Sequence, residues 1–383
     1  MEKKEKNGEK ENKELNNKND SFFTKKRCIF LLYAFYLCAG LFNEKLAKND
    51  YEYLDENNNK KILKFKYPAI TLCFPSILSF CISSFMLNYM KKKYFNSNIE
   101  SPILFRDKSI IGILHIVSSF TAQTALIYLD FIVKTIGKSC KSASIMFIYF
   151  LNTIPFCNKL LKKLLDNNAK EENKKEKILM KDVLKVLLTT TSVILFNLGS
   201  NNSDKEKNNE KNSYFGIVIL LISLFSDGLL SLKEKMIKNN IMNDKKYENY
   251  NNLLSWEYMN IFSFFTFLFS FYKIISNLYL GNYKQIFKVI FSNYYLMKDL
   301  FCYAVFDVLG QTFLYIYLGK YGPLALSMVT SVRKIFSITL SIFYFGKCIS
   351  IMQGIGLLFA IFIIFWENFE KGIKKNTEKE KTQ

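Results

Sequence analysis

The chain has 383 residues, 50% hydrophobic and 16% aromatic, with 53 Lys and Arg against 33 Asp and Glu, a formal charge of +20. Mean hydropathy is near zero only because long Lys/Asn/Glu tracts offset long apolar runs, and such segregation excludes an ordinary soluble domain, which interleaves the two classes. Most of the basic excess lies in tails and short loops between apolar runs, so it reads as membrane topology and argues against a nucleic-acid groove.

In chain order, residues 1–24 are almost wholly Lys, Glu and Asn. They are expected to form a disordered tail and not a signal peptide. Apolar spans follow at 26–42, 68–90, 109–128, 131–156, 179–198, 214–234, 253–276, 297–318, 323–345 and 349–369. Each is about 17 to 26 residues, the length of a spanning helix. Pro75 falls inside the second span, where a kink is expected, whereas Pro68, Pro155 and Pro323 lie at or near span ends. The eight cysteines lie in or beside apolar segments with no CxxC pair, as small packing residues do. His115 is the only histidine, which argues against a histidine-built metal site or a Ser/His triad.

Lys and Arg in the short loops set the orientation: about 28 fall on one side and about 14 on the other, so both termini are expected in the cytosol. The first loop, 43–67, runs against this rule, and its neighbouring acids soften the conflict. The polar loop 199–212 is then luminal, and it carries the sequon Asn201-Asn202-Ser203.

Arg333 and Lys334 sit near the middle of the ninth span. Each costs roughly 2.5 to 3.5 kcal/mol at that depth on insertion scales, so the pair should face a watery cavity or an anion. Ser327, Thr330, Ser331, Lys334, Ser337 and Ser341 recur mostly every three or four residues, which gathers them on one side of a helix. The fourth span holds Lys134, Lys138 and Lys141, and Lys141 to Ile145 shares Lys-x-x-Ser-Ile with Lys334 to Ile338. Each copy lies in the fourth span of a five-span half, and an odd number per half inserts the halves upside down relative to each other. Such an inverted repeat places a binding site at the midplane between them. The expected fold is therefore all-α: a polytopic membrane protein of ten helices as a 5+5 inverted repeat, with halves at 25–198 and 213–370 and a cytosolic tail at 371–383. In that register Lys138 and Lys141 share one helix face at the depth of Arg333 and Lys334. The alternative leaves Lys134, Lys138 and Lys141 in a loop and pairs Arg333 and Lys334 structurally with acids.

Four cations at one depth suit an anionic visitor, and a nucleotide diphosphate fits, because Arg grips phosphate bidentately while Lys acts as a point charge. Glu44 is either a gate carboxylate or a solvated loop acid. Asp227, inside the sixth span, calls for a partner or a substrate contact. Gln311 offers an amide to a base or sugar, or is a polar neighbour of a packing Gly310. Ser139, Tyr321, Thr330 and Ser337 complete the candidate contacts.

At these residues the chain resembles the nucleotide-sugar transporters of the drug/metabolite transporter superfamily, in the B-type group of endoplasmic-reticulum UDP-galactose transporter-like proteins. The motifs are Asn43-Glu-Lys45, Gly137-Lys-Ser-Cys-Lys141, Asp227-Gly-Leu229, Gly310-Gln-Thr-Phe313, Tyr321-Gly-Pro323, Thr330-Ser-Val-Arg-Lys334 and Ile351-Met-Gln-Gly354. The resemblance implies a ten-helix antiporter in which Lys138, Lys141, Arg333 and Lys334 hold the phosphates and Glu44 gates, with no metal or cofactor. Departures are the Asn/Lys-rich insertions at 50–66, 164–177 and 201–212, and Lys320 beside Tyr321, where the group has an aromatic pair. Lys379 and Lys381, near the C-terminus, look like a dilysine retrieval signal read by a coat complex, which suits a multi-pass protein of the endoplasmic reticulum or Golgi membrane. UDP-galactose or UDP-glucose exchanged for a nucleotide is the leading expectation for the cargo, with ATP/ADP exchange as the rival. A membrane-embedded transferase needs an acid/base or metal set that one histidine and few acids do not supply, and a scaffold or channel leaves four midplane cations unexplained. Glycosidase treatment is expected to lower the apparent mass by a glycan on Asn201; a glycan on Asn19 of the tail would reverse the orientation.

Overall fold

The computed structural model describes residues 25–54, 60–95, 100–138, 184, 187–188, 191–196, 209–242, 250–281, 283–346 and 349–380. Outside them lie Ser139 and Lys141, most of the fourth and fifth spans, the Asn201 sequon and Lys381. The elements are α1 (Lys25–Lys48), β1 (Asp50–Leu54), β2 (Lys60–Lys64), α2 (Pro68–Phe95), α3 (Phe105–Tyr128), α4 (Phe131–Gly137), α5 (Asn209–Met242), α6 (Asn251–Tyr279), α7 (Lys284–Ser292), α8 (Tyr294–Tyr344) and α9 (Ile351–Glu380). Apolar runs of this length become helices because a helix satisfies every backbone N–H and C=O within the segment, which hydrocarbon cannot do.

Six stretches are long and apolar enough to cross a membrane: Lys25–Lys48, Pro68–Lys93, Phe105–Tyr128, Tyr214–Ile241, Leu253–Tyr279 and Tyr294–Tyr321. They coincide with the expected spans one, two, three, six, seven and eight. Span ten is the α9 region, whose apolar part, Ile351–Trp366, is shorter, and span nine is the charged second part of α8. The protein is thus a polytopic helical membrane protein, of which six spans stand on length and composition. Pro75 is accommodated inside α2, which continues through it.

Helix α8 is 51 residues long. Straight, it would measure about 75 Å, yet two residues 42 apart on it bind adjacent residues of α1: Asp299 meets Lys45 Nζ at 2.8 Å, and Ser341 Oγ donates to Glu44 Oε2 at 2.6 Å. The helix therefore doubles back. Its turning point is near Tyr321, whose ring lies under Lys25 Nζ at 6.0 Å, at the other end of α1. Gly322 precedes Pro323 there, a pairing that disfavours continued straight helix. One arm runs antiparallel to α1 and the other parallel, so α1 is flanked by both along its length. Gly310 allows the close approach of the first arm, since a Cβ at this position would lie 2.9 Å from the Tyr36 ring.

Where a polar loop was expected after α1, the structure has an antiparallel hairpin with Tyr51 opposite Leu63 and Glu52 opposite Ile62. Among the described residues this is the one addition to the all-α reading. Tyr51 and Phe65 bury themselves with Ile286, Val289 and Ile290 of α7 and Leu296 of α8. Alternate turns of α7 explain the docking: those three residues are buried, while Lys288 and Phe291 are exposed. Tyr51 OH donates to Asp299 Oδ2 at 3.1 Å and Asn293 Nδ2 to the Glu52 carbonyl at 2.8 Å. Burial, and after it the Asp299 carboxylate, push the Tyr51 phenol above its usual range, so it stays a donor.

The opposite end is tied by Lys233 to Asp107 at 2.9 Å and by Lys108 to Glu257 at 3.0 Å, with Tyr250 OH donating to Glu257 at 2.7 Å. These join α3 to α5 and α6. Asp299→Ala leaves Lys45 and Tyr51 without their shared acceptor and should lower stability by about 1–3 kcal/mol, read as a lower thermal midpoint of the purified protein, with Tyr51→Phe giving a smaller drop in the same direction.

Candidate substrate site

Lys138 follows directly on α4, and its ammonium reaches across to α5 and α3. Nζ lies 3.0 Å from Asp227 Oδ2 and donates to Ser118 Oγ at 3.2 Å. Ser118 in turn donates to the other Asp227 oxygen, and Ser223 Oγ donates to the Ser118 carbonyl at 2.8 Å. Asp227 thus has the partner that its depth demanded, which offsets the charge of Lys138. Both side chains keep 24% and 38% of their surface exposed although they lie in mid-span and face other helices.

Lys334, from the second arm of α8, donates to the carbonyl of Lys138. A helix C-terminus carries partial negative charge on its free carbonyls, which is where a cation is favoured. The two lysines predicted at one depth from separate halves of the sequence are therefore neighbours. Arg333 turns to α1 instead: its guanidinium carbon stands 4.0 Å from the Tyr36 ring centre, a cation–π stack. The buried Nε of Arg333 has no hydrogen-bond partner among the described residues. Thr330 and Ser337 are half-buried within a turn on either side.

Lys134, one turn before Lys138, is also drawn inward and not left in a loop, donating to Gln123 Oε1 at 3.4 Å. Asp307 lies in the field of both Arg333 and Lys134. Gln311 is engaged, donating to Asp307 Oδ2 at 2.7 Å and accepting from Ser79 Oγ at 3.2 Å. Among the described residues, Lys134, Lys138, Arg333 and Lys334 outnumber the two acidic side chains of this region, Asp227 and Asp307.

Two predicted residues stand apart from this cluster. Glu44 is buried, bound to Ser341 and, at 3.0 Å, to Lys48, which also reaches Asp130 at 3.3 Å. It is eight residues along α1 from Tyr36, about 12 Å at the helical rise. Tyr321 sits at the turn of α8 against Tyr317, with ring centres 4.7 Å apart, some twelve residues or about 18 Å along the arm from Arg333. Sequence reasoning did not single out Tyr36, Ser118 or Gln123. Tyr36 is one of 23 tyrosines and Ser118 one of many small polar residues, but Gln123, an amide within an apolar span, carried a readable signal.

Long apolar helices around a cluster of charged side chains define a polytopic membrane protein. A model of the UAA transporter family matches residues 174–369, just over half of the chain, and the chain belongs to that family. A UDP-galactose transporter homolog 1 from Candida glabrata is 26% identical over 96% of this chain and 99% of its own length. Solute carrier family 35 member B1 from Dictyostelium discoideum is 23% identical over 90% of this chain and 78% of its own. The UDP-galactose transporter homolog 1 of Saccharomyces cerevisiae is 24% identical over 93% and 97%.

Lys138→Ala strands the Asp227 carboxylate in mid-span and is expected to lower stability by about 1–3 kcal/mol. Adding Asp227→Ala should restore most of the thermal midpoint, because the unpaired charge is what destabilises. A double variant no more stable than Lys138→Ala alone would deny the pairing.

Proposed function

We propose that the chain is an antiporter that carries a nucleotide sugar of the UDP-galactose or UDP-glucose class into the lumen of the endoplasmic reticulum or Golgi in exchange for a nucleotide. The observation that carries this reading is the excess of basic over acidic side chains in the interior among the described residues, with Lys138 and Lys334 brought together from separate parts of the chain. A nucleotide sugar or a nucleoside monophosphate brings negative charge to offset it. The relatives named as UDP-galactose transporter homologues support the same cargo.

In this reading Arg333, Lys334, Lys138 and Lys141 hold the pyrophosphate. Arg333 is poised by Tyr36 with an N–H edge to offer, and Lys334 and Lys138 can turn from a carbonyl and a carboxylate to the phosphate oxygens. Ion-pair geometry makes the exchange reversible: an arriving phosphate replaces the contacts it displaces, so the site need not stand empty of counter-charge. Alternating access follows from a ten-helix 5+5 inverted repeat rocking about the midplane. Glu44 then gates at the hairpin end, because its bonds to Ser341 and Lys48 tie α1 to the second arm of α8 and must part for that end to open. With both termini cytosolic, the hairpin end is luminal and the Lys379/Lys381 tail is available to a retrieval coat. The protein acts as a carrier and not as an enzyme.

Purified protein in liposomes preloaded with UMP should take up labelled UDP-galactose, and Lys334→Ala should abolish uptake while the protein stays folded. Uptake of ATP against ADP in place of UDP-galactose would assign the rival cargo, and exchange of neither would sink the carrier reading.

A further inference from the structure

A second group of polar side chains lies beside the cation cluster, and holding phosphate does not use it. Gln123 of α3 accepts from Lys134 Nζ at 3.4 Å and donates through Nε2 to Tyr303 OH of α8 at 3.1 Å. Further along α8, Gln311 links Asp307 at 2.7 Å to Ser79 of α2 at 3.2 Å. Tyr303, Asp307 and Gln311 recur every four residues and so form one stripe on the first arm. Lys134, bonded to Gln123, stands one turn before Lys138, which makes the group continuous with the phosphate cluster. A cavity of about 40 Å³ at the hairpin end, lined by Asn43, Tyr67 and Thr71, touches the group at Gln123.

Apolar residues would pack these helices at less electrostatic cost, since each buried amide or charge must be matched by a partner. The composition of the group also selects among ligand parts. Asp307 and Lys134 cancel in charge, so a phosphate gains little from the pair and is repelled by the carboxylate. A sugar hydroxyl both donates and accepts, and the carboxylate, the two amides, the phenol and the ammonium offer it acceptors and donors in alternation.

We infer that Gln123, Lys134, Tyr303 and Asp307 form the sugar subsite of this carrier, taking the uncharged polyhydroxyl ring attached to the pyrophosphate. The inference rests on the nucleotide-sugar reading and adds to it the residues that tell a nucleotide sugar from the bare nucleotide. In this conformation Gln123 is bonded to Lys134 and Tyr303, and Asp307 to Gln311. The arriving ring exchanges those bonds for its own.

The test uses the full chain in liposomes, with UMP self-exchange and UDP-galactose uptake measured on the same preparations. Gln123→Leu should weaken UDP-galactose uptake about tenfold or more, the loss of a hydrogen bond to a polar or charged partner, and leave UMP self-exchange within about twofold of wild type, whereas Asp307→Asn, which also changes the interior charge, should weaken UDP-galactose uptake more than it changes UMP self-exchange. Tyr303→Phe removes one hydroxyl with no change of shape and should act in the same direction. A second readout is binding to purified protein: UDP-galactose should raise the thermal midpoint above the value reached with UMP, and the variants should lose that extra rise. Equal loss of both substrates, or no loss of either in all three variants, overturns the sugar subsite. A wild-type protein that exchanges UMP but not UDP-galactose overturns the nucleotide-sugar reading itself, and the subsite with it.

Discussion

A charged side chain in a hydrocarbon layer must be met by something, and that requirement organises the packing here. Helix propensity and hydrophobic burial leave the rotation of each apolar helix about its axis weakly determined, because lipid tails are as apolar as leucine. Polar groups remove the freedom. Lys138 reaches Asp227 and Ser118, Lys334 reaches the end of α4, and Arg333 lies on Tyr36. Every one of these partners is on a different element from the cation it meets. The faces that α1, α3, α4, α5 and α8 present to one another are thereby set by a few polar contacts at mid-depth.

Beyond the midplane, α1 acts as the strap between the two arms of α8. Consecutive residues at its end serve different arms: Glu44 binds Ser341 on the second and Lys45 binds Asp299 on the first. The hairpin reinforces the Lys45 contact through Tyr51. The first arm is accordingly held at the hairpin end by a hydrogen-bonded triad and an apolar cluster, whereas the second arm is held there by Glu44 with Lys48 in support.

Hydropathy made the membrane class and the position of most spans readable, because length and apolarity are local properties. The proximity of Lys138 to Lys334 was readable too, from a five-residue similarity between the halves and from the cost of midplane charge. The pairing of Lys138 with Asp227 was half readable: depth demanded a partner for Asp227, but only the packing of α5 on α3 could say which cation. Glu44 could not be distinguished from a loop acid, since its burial depends on the approach of Ser341 from nearly three hundred residues away. The hairpin was hidden for another reason: Asp50 to Lys64 is rich in Lys and Asn, and its strands form because Tyr51 and Phe65 find an apolar bed on α7.

Arg333 and Lys334 are neighbours in sequence but project about 100 degrees apart around their helix, and each consequently meets a different element. The planar guanidinium suits the flat face of Tyr36, and a lysine in its place would forgo the stack; the ammonium of Lys334 suits the carbonyl end of α4, a point charge against a diffuse one. The dipeptide therefore bridges α1 to the segment that follows α3, with the second arm as the rod between them. An anion that drew on both side chains at once would pull three elements toward a single point. A cation pair on one face of the helix could bind the same anion but could transmit no such motion. The adjacent, and not one-faced, placement of these two charges would give such an anion a hold on all three elements at once.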